Sequence, residues 1–165
     1  MPSHSDERLA FALLRRTEYG RVATSMRALP FLAAARHVVT DGRILLRMHR
    51  GFGYHHACVG SVIAYGADNL GTEDARDGMW TVQLVGRCEA VEPTEAQRSL
   101  FGPEPAFVDG EPYDPVYLRV DPQTATVHTL STSAVPAAVP AAVPAAAPAV
   151  PGRAAAVRQP GGRTR

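Results

Sequence analysis

Leu29-Pro-Phe-Leu-Ala-Ala-Ala-Arg-His-Val-Val-Thr-Asp-Gly-Arg-Ile-Leu-Leu-Arg-Met48 is two apolar, partly β-branched runs joined across Thr40-Asp41-Gly42. An Asp-Gly pair between such runs predicts a tight β-hairpin. Both central residues of the favoured turn need positive φ, which Gly adopts freely and Asp tolerates. A hairpin of this kind forms locally and sets the register of any sheet that grows on it. At its exit Arg47, His49 and Arg50 arrive just before Gly51-Phe52-Gly53, crowding cationic side chains and bare backbone amides at one strand end. That end is the first place to look for a bound anion.

Upstream, Asp6 to Arg16 reads as a helix capped by Ser3 or Ser5, with acids in its first turn, arginines in its last and an apolar stripe of Leu9, Leu13 and Leu14. Gly20 then opens a first strand, Arg21 to Met26, and Ala28 to Pro30 reads as a break before the hairpin. Downstream, a glycine-rich loop leads into a short helix at Tyr54 to Val59, and Ser61 to Tyr65 is a fourth strand. Residues 66–78 are polar turn formers and predict a surface loop.

Met79 to Val91 alternates cleanly, with Trp80, Val82, Leu84 and Gly86 on one face, as a half-buried strand does. Gly86 inside it points to a bulge or a close backbone approach. A helix from Pro93-Thr94-Glu95 to Leu100, an irregular Pro-rich excursion over Pro103 to Pro115, and strands at Val116 to Val120 and Ala125 to Leu130 complete the folded part. Short hairpin-linked strands with few helices predict an antiparallel barrel or sandwich.

Residues 1–132 are read as one domain and 133–165 as a disordered Ala/Pro-rich tail, because proline every few residues forbids helix and ladder alike. Residues 1–132 hold thirteen Arg and sixteen acids, a balance of −3, while the tail adds four Arg and no acid. A mildly acidic body lacks the basic patch of a nucleic-acid-binding face. No run of eighteen apolar residues and no secretion signal is present, so a cytoplasmic protein with no membrane partner is expected. There is no Lys, which removes Schiff-base chemistry; every cation is a guanidinium, suited to forked phosphate binding. Cys58 and Cys88 match neither a disulfide framework nor a metal spacing and are expected as reduced, buried thiols.

The order of these features resembles a known family. A leading helix, Gly20-Arg-Val-Ala, Leu-Pro before a strand, Asp-Gly before the next, Arg47-Met48-His49 with Gly51 after it, Gly78-Met79-Trp80-Thr81-Val82, then Val85-Gly86-Arg87 and Tyr117-Leu-Arg-Val120 recur in that sequence. Over residues 8–130 this is similar to the actinobacterial branch of the pyridoxamine 5′-phosphate oxidase-like, FMN-binding split-barrel proteins. The resemblance implies a mainly β, six- to seven-stranded split barrel with a few short helices, forming a homodimer with FMN, or a deazaflavin, at the subunit interface. It places the cofactor phosphate at Arg47, Met48, His49, Arg50 and Gly51, with Arg36 on the incoming strand as a further basic contact. Trp80 and Thr81 match positions near the flavin ring or its ribityl chain.

The implied function is a flavin-dependent oxidoreductase acting on a small molecule, with no catalytic side chain assigned. A non-catalytic flavin- or haem-binding protein, for storage or sensing, is the alternative. Each feature also has a plainer reading. Strand-end arginines are often merely solvated, and a lone Trp on an alternating strand buries area first. His49, His55 and His56 match no zinc spacing, so no metal site is expected, although a His ligand to haem stays open.

Overall fold

The computed structural model describes residues 4–131; the expected tail and the Ser3 cap lie outside them. Asp41 and Gly42 take φ of 50° and 70°, and the turn joins β2 (Leu29–Thr40) to β3 (Arg43–His49) with Thr40 opposite Arg43. The same device joins β1 (Tyr19–Met26) to β2, where the expected break is instead a two-residue turn, Arg27-Ala28, with φ of 52° and 63°. Left-handed backbone costs non-glycine residues roughly 1–2 kcal/mol each. Eight successive cross-strand pairs hold that turn closed.

β4 (Val62–Asp68), β5 (Met79–Ala90) and β8 (Pro115–Leu130) complete a closed antiparallel barrel in the order β1-β2-β3-β8-β5-β4. The two C-terminal strands expected separately are one sixteen-residue strand. Asp121-Pro122 does not break it because the ladder slips there: the register shifts between Val85 and Gly86, and Gly86 lies opposite Pro122. A β-carbon on Gly86 would stand 2.1 Å from the Asp121 carbonyl oxygen. The bulge therefore admits only glycine, and the proline sits where no ladder hydrogen bond is required of it.

Inward residues alternate as the pleat demands. Val22, Ile44, Leu46, Ile63, Tyr65, Leu84, Leu118 and Val120 are almost wholly buried in one core. α1 (His4–Leu14) covers this core with Ala10, Phe11, Leu13 and Leu14. Leu9, expected on its apolar stripe, is 45% exposed. A polar bridge fastens the helix to the barrel: His37 Nε2 donates to the Leu14 carbonyl at 2.8 Å, and the Tyr65 hydroxyl donates to His37 Nδ1 at 2.6 Å. Cys58, at the end of α2 (His55–Cys58), and Cys88 on β5 are free and buried, and burial pushes their thiols up to about 11 and about 12.

Of the expected surface loop, residues 66–68 instead finish β4, and residues 69–78 lie mostly exposed but fastened at both ends. Asn69 is buried, accepts the Trp80 N–H at 2.8 Å and donates to the Gly78 carbonyl at 2.9 Å, pinning both ends of the segment.

A second, smaller core lies outside the barrel wall. α3 (Glu95–Leu100) starts with a capping box, Thr94 with Gln97, and ends on Phe101, which packs with Val38, Leu45 and Tyr117. The excursion beyond it contains a small hairpin, β6 (Phe107–Val108) and β7 (Glu111–Pro112), around a second Asp-Gly turn at Asp109-Gly110. It runs over the outer face of β2 and β3.

Candidate functional site

Alternation along β2 and β3 sends Arg36, Arg47 and His49 to the outer face beneath this excursion. Arg36 and Arg47 are direct cross-strand partners. Their guanidiniums meet three consecutive carbonyls at the end of α3: Arg36 Nε donates to Phe101, and Arg47 donates to Gly102 and Pro103, each at 3.1 Å. Cations at a helix C-terminus complement its unpaired carbonyls. Arg36 also pairs with Glu18 at 2.7 Å and lies over the Tyr19 ring. Arg47 is buried to 3% exposure, lies over the Phe101 ring and has the Glu104 carboxylate at 4.0 Å. Both side chains thus bind the chain's own segment 101–104.

The next turn is built around His49. The Asp114 N–H donates to His49 Nδ1 at 3.1 Å, so Nδ1 carries no proton and Nε2 is left to point over Gly51. A β-carbon on Gly51 would be 2.4 Å from that Nε2. Tyr113 stacks on the ring and Phe52 meets it edge-on. The neighbouring Arg50 is half-exposed and pairs with Asp114 at 3.2 Å, while its N–H donates to the Asp114 carbonyl. Of Arg36, Arg47 and Arg50, it is Arg50 that keeps a guanidinium half open to solvent.

Between these groups lies a cavity of about 120 Å³, lined on the barrel side by Ala35, Arg47, Met48 and His49 and roofed by Pro105, Val108 and Tyr113. Burial raises the Tyr113 phenol, partly offset by Arg47. Burial, then the bond to Glu104, does the same to Tyr117, whose hydroxyl donates to Glu104 at 2.9 Å.

Trp80 and Thr81 stand elsewhere. Trp80 points into the barrel core, 3% exposed, while Thr81 is on the outer wall opposite His128. Pro115 on β8 pairs with His49 and His128 with Thr81, a separation of thirteen residues (128 − 115) or about 40 Å along the strand. One protomer therefore does not bring Arg47–Gly51 and Trp80–Thr81 together.

The three histidines do not converge either. His49 stacks on Tyr113, while His55 packs on His56 with ring centroids 3.9 Å apart and is held below the ordinary imidazole range, chiefly by burial. Among the described residues no group of three or more His, Cys, Asp or Glu is arranged to hold a metal ion, and no helix is long and apolar enough to cross a membrane.

Sequence reasoning missed Tyr19, Tyr113, Asp114 and the carbonyls of residues 101–103. The last are some sixty positions from the arginines they engage, and backbone acceptors leave no trace in residue type.

A family model described as pyridoxamine 5′-phosphate oxidase matches residues 6–142. The FAD-binding protein from Mycobacterium smegmatis is 19% identical with a TM-score of 0.59, over 75% of this chain and 96% of that one. A FAD-binding protein from Mesorhizobium loti is 14% identical with a TM-score of 0.53, over 75% and 94%. A conserved protein of unknown function from Corynebacterium diphtheriae is 17% identical with a TM-score of 0.53, over 76% and 92%. At these identities the structural likeness shows the split-barrel fold alone. No curated protein matches the sequence.

Proposed function

Since the chain belongs to the pyridoxamine 5′-phosphate oxidase family, we propose that it binds FMN, or a deazaflavin carrying the same kind of phosphate, at the end of β3 and serves as an oxidoreductase on a small molecule. The observation that carries this reading is the cationic cradle itself. Arg36 and Arg47 stand side by side near the end of β3 with His49 beside them, and Arg50 and Gly51 follow in the next turn, where Gly51 leaves room for His49 Nε2. Guanidiniums and an imidazole N–H are donors of the kind a phosphate dianion takes. A bound flavin would supply the hydride and electron chemistry, while this chain's residues bind its phosphate and fix its position.

Trp80 belongs to the barrel core in any copy, whereas Thr81 on the outer wall fits the same reading only through a second copy, so the functional unit we propose is a homodimer. An uncharged row on the outer wall supports this. Leu32, Ala23, Ala64, Val85 and Thr124 are successive cross-strand partners across five strands. Leu32 is 63% exposed, and Val62 nearby is 52% exposed. Contiguous apolar surface of this kind marks an interaction face.

The test is an absorbance spectrum of the purified chain and a titration of FMN fluorescence. A yellow protein, or quenching at micromolar FMN, is the expected result, and oxidation of a nicotinamide donor by the loaded protein distinguishes an oxidoreductase from a storage or sensing protein. A colourless chain that leaves FMN fluorescence unchanged would refute flavin binding.

A further inference from the structure

The cavity of about 120 Å³ beside Arg47 holds a group of roughly benzene's size, whereas ligand sites for whole drug-sized molecules need about 300 Å³ or more. The donor set suits a phosphate, yet Arg47 is spent on carbonyls and the space is roofed. We infer that residues 102–112 are an acidic lid, closed over the cradle in this structure, which must lift before a phosphate-bearing ligand reaches Arg47. The inference rests on the phosphate reading of the cradle proposed above.

Three observations support it. The segment buries almost nothing of its own: every residue from Gly102 to Pro112 is exposed except Val108, which is half-buried. The fixed points lie at its two ends, with Phe101 buried before it and Asp114 tied to His49 after it. A segment with little buried apolar area between firm anchors opens at low free-energy cost.

Its charge is also matched to what it covers. Residues 102–112 carry Glu104, Asp109 and Glu111 and no cation, and they lie over Arg36 and Arg47. Two successive carbonyls and one carboxylate therefore present oxygens to Arg47 as a phosphate would, and an incoming anion competes for the same donors. On the outer side, Asp109, Glu111 and Asp114 rim a second groove against His49 and Gly51. The underside of the lid, which faces Arg36 and Arg47, is the face that gives an anion its guanidinium donors.

The closure has few fastenings. Besides the two carbonyl bonds to Arg47, the Tyr113 N–H donates to the Ala106 carbonyl at 3.0 Å, and Glu104 receives the Tyr117 hydroxyl and stands near the Arg47 guanidinium. The lid is thus a reversible competitor, and Glu104 supplies its side-chain part of the hold.

Labelling of the full chain with phenylglyoxal, an arginine reagent, followed by mass-spectrometric mapping, reads the exposure of Arg47 directly. In Glu104→Ala, Arg47 is expected to react about tenfold faster than in the unaltered chain, the factor for one lost charge-assisted hydrogen bond. FMN or millimolar inorganic phosphate is expected to slow it again. Equal Arg47 labelling in Glu104→Ala and the unaltered chain overturns the lid. FMN that quenches on binding yet leaves Arg47 labelling unchanged also overturns the lid and leaves flavin binding standing. Protection by inorganic phosphate with no response to FMN upholds the lid and refutes the flavin. No protection by either overturns both.

Discussion

Tyr65 and His37 share a hydrogen bond of 2.6 Å inside the barrel, and the far nitrogen of the same imidazole holds the last turn of α1. Nε2 donates to the Leu14 carbonyl, and burial, which disfavours the charged ring, leaves Nδ1 as the acceptor. Burial holds His37 below its ordinary 6.5, with the Leu14 carbonyl opposing and Arg36 reinforcing the shift.

A lowered folded-state value means the unfolded chain takes up protons first as pH falls. Stability is therefore complete above about pH 6.5 and declines below it, with His55 adding in the same direction. The urea midpoint is expected to drop between pH 7.5 and pH 5.5. Tyr65→Phe leaves the Nδ1 acceptor unpaired and is expected to cost about 1–3 kcal/mol at pH 7.5. A midpoint that does not move over that pH window would show that the ring is not buried neutral.

Arg47 and Arg50 are expected to separate stability from binding. Arg50 is half-exposed and loses only a surface pair, so Arg50→Ala should change unfolding free energy by no more than about 0.5 kcal/mol. If the side chain also grips the ligand phosphate, FMN affinity falls about tenfold. Arg47→Ala removes a buried cation that satisfies two carbonyls, and about 2–4 kcal/mol of stability should go with it. Parallel denaturation and FMN titration of the two variants check both statements.

Gly51→Ala tests the turn. Its new methyl group would meet His49 Nε2, and the ring cannot swing freely because Asp114, Tyr113 and Phe52 hold it. Overpacking of this order costs about 1–3 kcal/mol, and the His49 ring resonances should shift in NMR spectra. Unmoved His49 resonances would mean that the turn has slack.

Native Cys58 and Cys88 should not react with a thiol reagent at pH 8, since burial keeps them as thiols far above that pH. Two equivalents should react once the chain is unfolded in guanidinium. Reaction of either in the native state would contradict its placement in the core.

How much of this was legible in the sequence depends on how locally each feature is encoded. Asp41-Gly42 was readable because its turn needs positive φ and its residue types say so, whereas Arg27-Ala28 adopts the same geometry with residues that carry no such signal. Asp109-Gly110 was equally explicit but sat among prolines, with no alternating runs to mark strands. The fusion of two expected strands into β8 depended on Gly86 facing Pro122, two residues thirty-six positions apart (122 − 86) whose meaning appears only when paired. The cradle was legible as residue types and as a place, at the end of β3. Its covering was not, because lid and arginines meet through backbone oxygens.

The route of β8 also governs how the chain reaches its final state. β8 pairs with β3 on one side and β5 on the other, bringing Val120 against Ile44 across a long loop of sequence. Contacts so distant along the chain are slow to form, because loop closure must precede them. Until residues 115–130 are in place, β3 and β5 each present an unsatisfied edge to any neighbouring strand. Shielding of those edges during synthesis is thus the step at which this barrel is most exposed to aggregation, and truncation before Leu130 would prolong it.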